Sequence, residues 1–140
     1  MRHMRFGSMT HPCFENEGAM PKLVLIQDPD AVISVDLAQT VMEAWPDATV
    51  VVCRGIEDVL ACLRSGKKIS MMVLRQSMRS LLSRNFVPLA HDAAAHVLLT
   101  AADEQETDLI DAIGWSSLDM PFTTEQLLAA LRNDSEPSRN

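Results

Sequence analysis

No glycine-rich loop follows the chain's first strand-like segment. Asp28-Pro29-Asp30 stands there instead and would repel phosphate, which disfavours nucleotide and flavin binding. No apolar stretch approaches membrane-spanning length, and Met1-Arg2-His3-Met4-Arg5-Phe6 is not followed by the apolar core of a secretory signal. The expectation is a cytoplasmic protein without a membrane partner. Clustered lysine and arginine are also lacking, and with a formal charge of -7 direct nucleic-acid binding by this segment is disfavoured. Cys13, Cys53 and Cys62 are odd in number and show no paired metal-ligand spacing, which argues against a disulfide framework or a zinc site. Internal repeats and low-complexity tracts are absent from the sequence.

What is present fits one ordinary domain: 140 residues, 47% of them hydrophobic, bury a sizeable core but are too few for two such domains. Residues 1–20 carry Gly7, Ser8, Pro12 and Gly18 with scattered charge and no period, so they read as a flexible arm or an appended remnant. Residues 134–140 read as a polar tail or the start of a linker, which leaves 21–133 as the folded unit.

Inside that unit, short apolar runs alternate with segments of helical period, the pattern of parallel strands joined by crossover helices. Leu23 to Ile26, Thr49 to Val52, Met71 to Leu74 and Val97 to Thr100 are nearly continuous in apolar character, as strands covered on both faces must be. Ser116 to Leu118 is a weaker fifth. Asp30 is placed to cap a helix with the stripe Ile33, Leu37, Val41 and Ala44, ending before Pro46. Ile56, Val59, Leu60 and Leu63 line a second helix stopped near Gly66, and Met78, Leu81 and Leu82 suggest a short third. An irregular stretch is expected around Val87-Pro88 and Asp92 to Ala95. Leu109, Ile110 and Ile113 mark a fourth helix stopped by Gly114, and Thr123-Thr124-Glu125-Gln126 is a capping-box signature before a fifth. Right-handed crossovers place ligand sites outside the carboxyl ends of such strands, at Gln27, Asp28, Asp30, Cys53, Arg54, Arg75, Gln76, Thr100, Ala101 and Asp119 to Pro121.

The order of elements and several local motifs resemble the receiver domain of bacterial two-component response regulators, over nearly all of Lys22 to Arg132. Leu23 to Asp28 stands where that family has a strand ending in two acidic residues that hold magnesium. Leu99-Thr100-Ala101 matches its strand ending in a hydroxyl residue followed by a small one, and Met120-Pro121-Phe122 matches its Lys-Pro-Phe segment. The resemblance implies a flavodoxin-like, doubly wound α/β fold: five parallel strands in the order 2-1-3-4-5 between two helical layers.

It also implies a site that has lost its chemistry. The strand Met71 to Leu74 leads into Arg75 where the family has its phosphoacceptor aspartate, and arginine is a permanent cation with no nucleophilic oxygen. Neighbouring Leu74, Gln76 and Ser77 offer no carboxylate either. Gln27 replaces the first acidic residue, Met120 the lysine, and Ser117 the aromatic switch. The pocket Gln27, Asp28, Arg75, Thr100 and Met120 therefore resembles that of a degenerate receiver independent of phosphorylation, with no catalytic residues and no place in a phosphorelay as an acceptor. A cation about 4 Å from a divalent ion is repelled by roughly 8 kcal/mol at an effective dielectric of about 20, so no magnesium or other cofactor is expected. The guanidinium of Arg75 is expected to take the metal's place and pair with Asp28, and with Asp30 as a second partner; the alternative is that it reaches to solvent.

Other constellations carry less. Asp28 and Asp30 as an acid/base pair, or Asp28 with Cys53 or Thr100, would make a small flavodoxin-like enzyme, but Asp30 is more simply a helix cap. His91 and His96 are five residues apart and do not share a helical face. Trp115 is either an interface anchor or packed over the fourth helix. The function expected is protein interaction in signalling, with homodimerisation through the fourth helix, fifth strand and fifth helix as a weaker expectation; the alternative is the sensory N-terminal part of a longer transcription regulator.

Overall fold

Runs of valine, leucine, isoleucine and methionine cannot alternate a wet and a dry face, so they pair in the middle of a sheet and recruit helices to both sides. The computed structural model describes residues 2–5, 22–93, 96–119 and 122–135. Its strands are β1 (Arg2–Arg5), β2 (Leu23–Gln27), β3 (Thr49–Cys53), β4 (Met71–Leu74), β5 (His96–Leu99) and β6 (Ser116–Ser117), in the spatial order β1-β3-β2-β4-β5-β6. From β2 onward every pairing is parallel, and these five strands stand in the doubly wound order 2-1-3-4-5 that the sequence implies.

The helices are α1 (Ala31–Ala44), α2 (Ile56–Arg64), α3 (Met78–Ser83), α4 (Phe86–Asp92), α5 (Thr107–Ile113) and α6 (Thr124–Ser135). Successive strand residues face opposite layers. Val24, Ile26, Met71 and Val73 pack with Leu37 and Val41 of α1 and Leu127 and Leu131 of α6. Leu25, Met72 and Leu74 pack on the other face with Val59 and Leu60 of α2, Leu81 of α3 and Phe86 of α4. Both layers are thus sealed by the alternation of the same two central strands.

Caps set the helix ends. The Asp30 carboxylate accepts from the N–H groups of Val32 at 2.9 Å and Ile33 at 3.3 Å, satisfying two donors that α1 would leave unpaired. At α6 the capping box is reciprocal: Thr123 N–H donates to Gln126 Oε1 at 2.8 Å, and Gln126 N–H to Thr123 Oγ1 at 3.0 Å. Gly114 ends α5 at φ 90°, a left-handed conformation that glycine adopts without steric cost.

Three features depart from the sequence reading. Residues 2–5, read as part of a flexible arm or an appended remnant, form a strand antiparallel to β3, with Arg2 opposite Val52 and Arg5 opposite Thr49; the rest of that arm lies outside the described residues. The stretch after α3, expected to be irregular, contains the helix α4. Pro88 sits in its first turn, where a missing N–H costs nothing, and Asn85 at φ 58° makes the left-handed bend that separates it from α3. On the expected helical stripes, Leu82 and Leu109 are 52% and 42% exposed, because α3 and α5 are too short for more than a narrow face to reach the sheet.

Candidate functional site

The carboxyl ends of β2, β3, β4 and β5 bring Gln27, Asp28, Cys53, Arg54, Arg75 and Thr100 to one edge of the sheet. The backbone fixes them there: Arg75 N–H donates to the Gln27 carbonyl at 3.0 Å, Asp28 N–H to the Cys53 carbonyl at 3.2 Å, and Thr100 N–H to the Leu74 carbonyl at 2.9 Å.

Asp28 lies at the bottom, with its side chain only 1% exposed. Its Oδ1 accepts from Asp30 N–H at 2.8 Å and faces Arg75 Nη1 at 3.4 Å. Its Oδ2 is buried and has no hydrogen-bond partner. Arg75 reaches this carboxylate from a side chain that remains 38% exposed, so the pair is half-wet and its Coulombic gain is correspondingly reduced. Asp30 does not take part as a second partner: its carboxylate is spent on the α1 cap and the residue is exposed.

Gln27 is buried, and both ends of its amide are engaged. Its Nε2 donates to the Arg54 carbonyl at 3.0 Å, and its Oε1 accepts from Gln76 Nε2 at 3.1 Å. Gln76 Oε1 in turn accepts from Ser80 Oγ at 2.8 Å. The Thr100 hydroxyl donates to the Leu74 carbonyl at 3.4 Å. Ser117 lies in β6, exposed and opposite Leu99. Met120, with Pro121, falls outside the described residues.

Sequence reasoning missed Glu106. Its Oε1 accepts from the N–H groups of Met78 and Asp103, both at 2.9 Å, and its Oε2 from Arg79 N–H at 2.9 Å. Burial alone would raise this carboxyl, but the three backbone donors and the Arg79 charge outweigh it and hold the group below its usual range. The signal was present: Asp103-Glu104-Gln105-Glu106 has the capping-box spacing, and it closes the 3₁₀ turn Glu104–Glu106.

The remaining candidates are not assembled for catalysis. Burial, with Cys62 and Asp58 beside it, pushes the Cys53 thiol up to about 12, so it stays protonated at neutral pH and is a poor nucleophile. Iodoacetamide at pH 7 is expected to label Cys62, which is partly accessible, well before Cys53; peptide mass mapping of a time course checks this. His91 is exposed on α4 while His96 opens β5, and no group of three acidic, histidine or cysteine side chains suited to a metal exists among the described residues. Trp115 is buried and stands edge-on to Phe86, with ring centroids 6.2 Å apart. A cleft of about 240 Å³ between α1 and α6, lined mainly by Ile33, Leu37, Phe122 and Leu127, contains none of the site residues. No helix among the described residues is long and apolar enough to cross a membrane.

With this geometry, the chain is similar to several solved receiver structures. A response regulator receiver protein from Sinorhizobium medicae WSM419 superposes with a TM-score of 0.62 at 19% identity, over 82% of this chain and 94% of that one. The signal receiver domain of an HD domain-containing protein from Pseudomonas fluorescens Pf-5 gives 0.64 at 18% identity, over 86% and 91%. A response regulator from Colwellia psychrerythraea gives 0.58 at 18%, over 83% and 98%. No protein-family model and no curated protein sequence matches the chain. At these identities the likeness defines the fold: this is the architecture of response regulator receiver domains.

Proposed function

We propose that the chain is a receiver-like regulatory and protein-interaction domain of two-component-type signalling that works without being phosphorylated itself, and that it is not an enzyme. The observation that carries this reading is Arg75, whose Nη1 stands 3.4 Å from the one buried carboxylate of the site. A phosphotransfer to the protein needs a carboxylate nucleophile beside a divalent metal. Here the strand end offers a guanidinium, and the neighbouring glutamine spends its amide on Arg54 and Gln76. Magnesium prefers an octahedral oxygen shell, usually anchored by carboxylates; Asp28 alone, already shared between Arg75 and the Asp30 amide, does not fit that requirement. The same facts speak against a small hydrolase, since Asp28 has no adjacent activated nucleophile: the Cys53 thiol is held protonated and the Thr100 hydroxyl is turned to a backbone carbonyl.

The partner in this reading is another signalling protein, or a second copy engaged through α5, β6 and α6, where Leu109 is 42% exposed. A cytoplasmic location goes with that role. The Pseudomonas neighbour is the signal receiver domain of an HD domain-containing protein, which favours the related reading that this domain is the sensory part of a longer regulator.

Intact mass after incubation with magnesium and a small-molecule phosphodonor tests the central claim. The unmodified mass is expected. A stoichiometric, alkali-labile phosphoryl adduct would mean that another carboxylate accepts the group, and the reading would fall.

A further inference from the structure

The four loops at the carboxyl edge of the sheet are joined by one continuous run of polar contacts. It starts at the Arg54 carbonyl after β3, which accepts from Gln27 Nε2 at the end of β2. Gln27 Oε1 accepts from Gln76 after β4, and Gln76 accepts from Ser80 of α3. The first turn of α3 then supplies the N–H groups of Met78 and Arg79 to Glu106, whose Oε1 also takes the N–H of Asp103 in the loop after β5. The last link differs from the others in being charged, and hydrogen bonds to an ionised acceptor are roughly twice as strong as neutral ones.

Glu106 adds a second link between two segments that already meet at the strand ends, where Thr100 N–H donates to the Leu74 carbonyl at 2.9 Å. Residues 75–79 carry Arg75, and residues 100–106 carry Thr100. Ser77 Oγ already accepts from Ser80 N–H, so Glu106 completes the pairing of the first three amides of α3. Both segments are thereby anchored on one carboxylate.

We propose that Glu106 is a resident tie that locks the β4–α3 and β5–α5 loops into a single arrangement, so that the face they present to a partner is set by the fold and not by modification. This rests on the reading that the site is not phosphorylated. It identifies the device that fixes the loops: a carboxylate of the chain itself, always present, accepting from both sides.

The test is backbone amide hydrogen exchange of the full chain, followed residue by residue in wild type, Glu106→Ala and Glu106→Gln. In Glu106→Ala the Met78, Arg79 and Asp103 amides are expected to exchange at least about tenfold faster together, the loss of charge-assisted bonds being the cause. The central-strand amides of Val24 to Ile26 and Val97 to Leu99 should keep their rates. Glutamine retains one accepting oxygen for the two donors that share Oε1 but not the charge, so in Glu106→Gln the Arg79 amide should accelerate most, and Met78 and Asp103 less than in Glu106→Ala. Unchanged exchange at Met78 and Arg79 in the alanine variant would overturn the tie. So would acceleration by the same factor throughout the sheet, which would reduce Glu106 to a general contribution to the fold. The failure of the phosphate-independent reading shows separately, as a phosphoryl adduct on the wild type; with the three amides still accelerating together, the tie would survive that result.

Discussion

Replacing Arg75 by aspartate is expected to raise the affinity for magnesium by at least about a hundredfold, from binding too weak to measure in the wild type. The change acts twice. It removes a cation that would stand about 4 Å from the ion, a repulsion of roughly 8 kcal/mol at an effective dielectric of about 20. With the Arg75 side chain 38% exposed, solvent screening reduces this, and we take about 3 kcal/mol, which corresponds to over about a hundredfold in affinity. It also adds a carboxylate opposite Asp28, whose buried Oδ2 has no hydrogen-bond partner and would gain one in a metal's oxygen shell. Isothermal titration calorimetry with magnesium chloride on both proteins decides it. Equal heats and equal affinities would mean that Arg75 is not what disfavours the metal.

The largest loss of stability is expected from Phe86→Ala, about 3–5 kcal/mol. Phe86 is fully buried, belongs to the core between α2, α3, α4 and the sheet, and makes the edge-on contact with Trp115. Its removal leaves a void that α4, pinned by the left-handed turn at Asn85, cannot close by shifting. Leu82→Ala is the internal comparison: Leu82 lies on the adjoining helix but is 52% exposed, and its truncation should stay within about 0.5 kcal/mol. Urea unfolding followed by circular dichroism compares the two. A cost for Phe86→Ala no greater than that for Leu82→Ala would show that α4 does not pack on the core in this way.

The four parallel strands β2 to β5 were legible because they are short, nearly uninterrupted apolar runs, whereas β6 is a pair of serines and was only weakly marked; the ends of the four then located Gln27, Asp28, Arg75 and Thr100 at one edge. The pairing of Arg75 with Asp28 could be anticipated from charge, since a cation and an acid at adjacent strand ends have few other partners. Asp30 shows the limit of that argument: the sequence offered it both as the cap of α1 and as a second partner of Arg75, and the cap bonds to Val32 and Ile33 take its carboxylate. Glu106 was hidden for a different reason. Its capping-box spacing announces a local turn, whereas its bonds to Met78 and Arg79 join residues 28 and 27 positions away, and nothing in local sequence encodes that reach. The helix α4 escaped notice because proline, histidine and aspartate break the apolar period although the backbone tolerates them. The strand β1 escaped because Arg2-His3-Met4-Arg5 holds a single apolar residue and so shows no alternation.

That first strand changes what the sheet offers to other chains. Without it the margin beside β2 would be Thr49 to Cys53, a valine-rich strand whose outer N–H and C=O groups would stand ready to template another strand. With β1 laid antiparallel along it, the margin is four residues long and runs in the opposite sense to the rest of the sheet. Short edge strands are among the devices by which proteins discourage unwanted strand addition. Pairing with β3 from outside would have to displace a segment of the same molecule first, and the opposite margin, β6, is only two residues long, so both boundaries of the sheet are guarded.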